Sequence, residues 1–69
     1  MLMIDSEKVR QTMFNLVIGV KELAEKTGLS QPTISKIAQI DKFCTIKTIG
    51  KLAKALKIDP DTIIKSEKE

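Results

Sequence analysis

Apolar side chains recur along this chain at spacings of three and four, and a few residues interrupt the pattern. Val9, Met13 and Leu16 form a first stripe behind Asp5 or Ser6, either of which can cap a helix, which predicts a helix over Ser6 to Asn15. The run Leu16-Val-Ile-Gly-Val20 is apolar but only five residues long and has no evident partner strand, so it reads as a buried connector with Ile18 and Val20 entering the core. Leu23 and Ala24 mark the inner face of a second helix, Val20 to Thr27, which Gly28 ends. Ser30 is placed to accept from the free amides of a third helix, Gln31 to Gln39. Pro32 falls in its first turn, where a missing N–H costs nothing. A residue before proline is pushed away from α geometry, so Gln31 is the alternative cap.

The clearest stripe lies in Thr45 to Lys57. Ile46, Ile49, Leu52, Ala53 and Leu56 fall on one face, and Lys47, Lys51 and Lys54 on others. Gly50 inside this helix costs roughly 1 kcal/mol relative to alanine, which suggests a close helix approach there. Asp59 is positioned to cap, and Pro60 to open, a short fifth helix reaching about Lys65, with Ile63 and Ile64 turned back toward the core. Residues 66–69 read as a frayed tail.

Five helices in 69 residues predict a single all-α domain, residues 1–69, with its core in 6–65. A chain of this size buries only about 60% of its unfolded surface, leaving little volume for a substrate cleft. No apolar stretch is long enough to span a bilayer, and Met1 to Arg10 lacks the pattern of a signal peptide, so a cytoplasmic location is the default. The single cysteine, Cys44, has no partner within the chain and reads as a small buried hydrophobe; Phe43 reads as a plug for the loop beside it. With no histidine, no cysteine pair and no phosphate-cradling glycine loop, the sequence offers no metal site, no cofactor site and no catalytic set. Asp59 and Asp61 are an acidic pair, but capping accounts for Asp59.

The net charge is +3, and its distribution is more informative than its size. Residues 26–57 hold seven lysines and one acid, Asp41, for a local charge of +6, so the remainder carries −3. A basic middle with acidic flanks suits a polyanionic partner. Within it, residues 20–39 have the length and spacing of a helix-turn-helix: two short helices crossing steeply at a tight turn. Ala24 is small where the helices cross, Gly28 makes the turn, and Leu23, Leu29, Ile34 and Ile37 tie the second helix down. That leaves Gln31, Pro32, Thr33, Ser35 and Lys36 outward, a polar face with no acid, suited to reading base edges.

The segment VKELAEKTGLSQPTISKI resembles the Cro and phage-repressor family of helix-turn-helix regulators, and TIKTIGKLAKALKIDPDTII continues the likeness through the family's fourth and fifth helices. The resemblance implies a compact five-helix, lambda-repressor-like fold with the third helix in the major groove of double-stranded DNA. It implies base contacts from Gln31, whose amide can pair bidentately with adenine, and from Pro32, Thr33 and Lys36. Lys21, Ser30, Ser35, Lys42 and Lys47 become candidates for contacts to phosphate. Two departures stand out. The family's Asn-Gly-rich loop after the recognition helix is replaced by Ala38-Gln-Ile-Asp-Lys-Phe-Cys-Thr45, where Ile40 can prolong the helix, and the usual glutamine opening the second helix is Val20.

The expected function is therefore a sequence-specific DNA-binding transcriptional regulator, a repressor acting by operator occupancy. One recognition helix makes few contacts, so a homodimer is expected, paired through Ile58, Ile63 or Ile64, or through the N-terminal Met-Leu-Met-Ile. The alternative from another class is a protein-interaction module on the same fold, such as an antitoxin-like partner. The operator sequence and the regulatory trigger are not legible.

Overall fold

A computed structural model of the protein describes residues 1–65; the tail expected at 66–69 lies outside the described residues. Four α-helices carry the fold: α1, Ser6–Leu16; α2, Val20–Thr27; α3, Gln31–Gln39; and α4, Ile46–Leu56. Two three-residue strands, β1, Leu2–Ile4, and β2, Lys42–Cys44, pair antiparallel with Leu2 opposite Cys44 and Ile4 opposite Lys42. The expected fifth helix is a single 3-10 turn, Pro60–Ile63. The protein is thus mostly helical with a small sheet, neither all-α nor five-helical.

The ribbon arises because both chain ends meet the segment that follows α3. Asp5 N donates to Ile63 O at 2.8 Å and Lys65 N to Met3 O at 2.8 Å, and Ile4 bridges Ile64, so β1 runs between β2 and the end of the chain. Ile4 and Ile63 are fully buried beneath it. The N-terminal strand therefore satisfies backbone amides, and its Ile4 closes the base of the core.

Three of the four α-helices begin where a side chain accepts free amides. Asp5 caps α1 by accepting from the amides of Glu7 and Lys8, Ser30 caps α3 through Thr33 N, and Thr45 caps α4 through Thr48 N. Gly19 caps α2 with no side-chain bond, and Asp59 makes none at the 3-10 turn, contrary to the role expected of it. At the other ends, α1 and α4 close with Val17 and Lys57 in the left-handed region, φ 55° and 59°, and Ile18 N and Ile58 N reach back to Met13 O and Ala53 O. Ile18 and Val20 pack against the core as expected, but Leu16 and Val17 are exposed.

Val9, Leu23, Ile34, Ile37, Ile49, Leu52 and Leu56 fill the core, each almost completely buried and each stabilising the fold by roughly 1.5–3 kcal/mol. α3 rests on α1 and α2, while α4 packs against α2, α1 and the 3-10 turn. Three apolar residues depart from expectation. Ile46 is not on the buried face of α4 but 73% exposed in its first turn; Phe43 points outward and is 51% exposed, so it does not plug the loop; Ile40 is extended and does not prolong α3. Ile40 and Phe43 lie in the stretch that leaves α3 to pair with β1, where the backbone course is set by the strand, and Ile46 opens the helix that follows it. Gly50 meets no neighbouring atom where a Cβ would stand, so no close helix approach explains it.

Asp41 ties this connection down. Its Oδ1 accepts from Ser6 N at 2.9 Å and Ser6 Oγ at 3.0 Å, and its Oδ2 lies 2.6 Å from Lys65 Nζ. The Lys65 bond, then the two Ser6 bonds, hold the Asp41 carboxyl at about 2, below the usual 3.8. A depressed carboxylate contributes stability that is full above its unfolded value and lost as pH falls through 3.8 toward about 2. Thermal melts of the wild type and Asp41→Asn should therefore differ at pH 5 and above and converge near pH 2; a gap that persists to the lowest pH contradicts this role. Two glycine substitutions should act in opposite directions. Gly28→Ala forces a Cβ into φ 79° and should destabilise by about 1 kcal/mol, whereas Gly50→Ala, in a helix with open space, should stabilise by a similar amount; denaturant titration reads both.

Candidate nucleic-acid interface

The turn between α2 and α3 is built by local chemistry. Gly28 takes φ 79° and its N–H donates to Ala24 O at 2.8 Å, closing α2. Thr27 is buried; its hydroxyl donates to Leu23 O at 2.8 Å and accepts from Leu29 N at 3.2 Å. The Thr27 hydroxyl therefore bonds both the last turn of α2 and the start of the connection to α3. Ser30 then starts α3, its Oγ accepting from Thr33 N at 3.3 Å and lying 2.8 Å from Thr33 Oγ1. Ser30 is the cap, as expected, and Gln31 is the first helical residue.

The far end of α3 is held from another helix. Arg10 Nη1 donates to Ala38 O at 2.7 Å, placing a cation on the last carbonyls of α3, where the helix dipole is negative. α3 is thus fixed at both ends, with Ile34, Ile37 and Ala38 buried along its length.

The opposite side of α3 faces solvent. Gln31, Pro32 and Lys36 are exposed, whereas Thr33 and Ser35 are half-buried. The Thr33 hydroxyl is engaged by Ser30, and Ser35 Oγ accepts from Gln39 Nε2 at 2.9 Å. Gln39 was missed by the sequence reading. It is exposed and follows Pro32 and Lys36 at the spacings of four and three that define one helical stripe, so the sequence did carry a signal for it. Its side-chain oxygen and one amide hydrogen remain outside the bond to Ser35. Arg10 was also missed, and its bond to Ala38, 28 residues away, had no local signal.

Among the candidates for phosphate, Lys21 and Lys47 are exposed in the first turns of α2 and α4, and Lys42 is half-buried in β2. The acid of the basic segment, Asp41, is spent on Ser6 and Lys65. Cys44 is buried, and burial pushes its thiol above the ordinary value despite nearby Lys42, which keeps it protonated and inert. Of the residues considered for pairing, Ile58 and Ile64 are half-buried, while Ile63 is fully buried inside its own chain and offers no surface to another. Among the described residues no helix is long and apolar enough to cross a membrane.

Residues 9–69 match the model of the Cro/C1-type HTH DNA-binding domain. Among solved structures, the restriction-modification controller protein C.AhdI from Aeromonas hydrophila is similar over 83% of this chain and 86% of its own, with 23% identity and a TM-score of 0.77. A mutant of hydroxyethylphosphonate dioxygenase is similar over 96% of this chain at 18% identity and a TM-score of 0.80, and native PhpD with cadmium atoms at the same coverage and identity with 0.78. In both of these the similarity spans 14% of the other protein's length. A search among curated protein sequences finds no match. The structural likenesses establish the shared fold, and the family match, running from Val9 to the last residue, establishes the lineage: this chain belongs to the Cro/C1-type helix-turn-helix DNA-binding domain family.

Proposed function

We propose that the protein is a sequence-specific transcriptional regulator that binds double-stranded DNA as a homodimer, with α3 in the major groove, and represses by occupying its operator. The observation that carries this reading is the outward face of α3. It presents Gln31, Pro32, Lys36 and Gln39, holds no acid, and lies over buried Ile34 and Ile37. A glutamine amide can pair bidentately with adenine and a lysine can reach guanine, so this face carries the donors and acceptors that base edges require.

The placement of Lys21 and Lys47 supports phosphate contacts. A cation in the first turn of a helix is opposed by the helix dipole, and α2 has no side-chain cap on its free amides. A phosphate at these helix starts would satisfy the amides and the lysine together. Ser30 and Ser35 are already bonded within α3, so their hydroxyls serve the helix first.

Pairing of two chains is required because one recognition helix makes few base contacts, and half-sites one helical turn apart, about 34–36 Å, fit a two-fold dimer. With Ile63 buried, pairing draws on exposed apolar residues, and Ile40 and Phe43 in the connection after α3, with Ile46 at the start of α4, are three of these. A contact there would fix the spacing between the two α3 helices. The likeness to dioxygenases covers a small part of those proteins and carries no enzymatic reading here. The second reading, a protein-interaction module, is favoured only by the same exposed apolar residues.

Selection of bound duplexes from a random pool, followed by gel-shift measurements, should yield a preferred sequence, and affinity for it should fall steeply with salt as counterions are released. Gln31→Ala with Lys36→Ala should remove about 2–4 kcal/mol of discrimination while leaving the melting temperature nearly unchanged. Selection that returns no preferred sequence, or a preference that survives both substitutions, would exclude α3 as the reading element.

A further inference from the structure

Four of the seven lysines of the basic segment gather away from the reading face. Lys26, in the last turn of α2, and Lys51, Lys54 and Lys57, along and just past α4, line one open hollow of about 270 Å³ with Thr27 and Ala55. No residue of α3 lines it. The four lysines are exposed, and none takes part in an ion pair, the pair among the described residues being Lys65 with Asp41.

Ordinary helix chemistry explains part of this. Lysines near helix C-termini complement the dipole, and both α2 and α4 end here. Each helix end supplies only about −0.5 of an elementary charge, so two ends offset about one of the four positive charges. Three remain, and among the described residues no acid lines the hollow. Nor does helical amphipathicity require the gathering, because Lys26 comes from a helix separated in sequence from the other three and is brought to them by the packing of α2 on α4. The space itself exists because the position between the α4 lysines is Ala55, half-buried and too small to fill it. Thr27 contributes no free donor, since its hydroxyl is committed to Leu23 O. What is left is a concave, lysine-lined site without a counter-charge among the described residues.

We propose that this hollow binds a small anion carrying two or more linked phosphate groups, of the kind presented by the polyphosphate chain of a nucleotide. Linked phosphates place several charges within the reach of flexible lysines from two helices, which a single phosphate does not. The site lies beside the last turn of α2, next to Gly28 and the turn into α3, so a bound anion would fasten α2 to α4 immediately before the reading helix. This inference does not depend on what α3 reads.

Inorganic tripolyphosphate is the probe. Titration followed by calorimetry and amide chemical shifts should show saturable binding that perturbs Thr27 and Ala55, with inorganic phosphate binding at least about tenfold more weakly, a difference of about 1.4 kcal/mol. Lys51→Ala with Lys54→Ala should weaken tripolyphosphate binding by about tenfold or more. Lys8→Glu, which lowers the net charge by the same two units outside the hollow, should leave it nearly unchanged. Equal loss in both variants would make the effect one of net charge and overturn the site. So would loss of duplex binding, with tripolyphosphate binding intact, in the Lys51/Lys54 variant, which would assign those lysines to the DNA surface. Absence of saturable binding by the wild type overturns it outright. All three substituted residues are exposed, so the variants are expected to fold, and their melting curves verify it.

Discussion

The burial of Ile34, Ile37 and Ala38 beneath a polar outer stripe is the constraint on which the rest depends. A helix of nine residues has little stability by itself in water. α3 holds its shape because its inner face is packed on α1 and α2, because Ser30 closes its first turn, and because Arg10 bonds a carbonyl in its last. The same packing decides which side chains remain outside. Rotating α3 by one residue would bury a glutamine or a lysine and expose an isoleucine, at a cost of several kcal/mol. The apolar stripe therefore fixes which side chains make up the outward face that we propose reads DNA.

A second constraint joins the ends of the chain to the far side of α3. The Asp41 carboxylate receives Ser6 at the start of α1 and Lys65 near the end of the described chain, and β1 lies between β2 and residues 63–65. The connection after α3 is thus clamped by backbone and side-chain bonds where the resembling family carries a glycine-rich loop. This also removes the acid of the basic segment from any role near a polyanion, since its charge is matched within the fold.

The helices were legible because their signals are local. The bounds of α2 and α3 coincide with those expected from Leu23, Ala24, Gly28, Ser30 and Pro32; the caps of α1 and α3, Asp5 and Ser30, were each one of two readable alternatives, whereas Thr45, read as part of α4, is its cap. The sheet was not legible. Its strands have three residues each and pair across nearly the whole domain, too short for an alternating pattern to show. Val17, rather than nearby Gly19, takes the left-handed turn after α1, and propensity alone points away from a β-branched residue there. Exposure of Ile40, Phe43 and Ile46 follows from the course of β2, and the meeting of Lys26 with the α4 lysines follows from helix packing; neither is a property of neighbouring residues in sequence. The outward placement of Gln31, Pro32 and Lys36 was legible from helical spacing, and that of Gln39 was available from the same spacing.

The most direct test of the account is amide and side-chain chemical-shift mapping of the labelled protein against its selected duplex. The largest changes should fall on residues 31–39, including the side-chain amides of Gln31 and Gln39, with smaller ones at the starts of α2 and α4. Perturbations that leave α3 untouched and concentrate elsewhere on the domain would contradict the claim that this helix reads DNA.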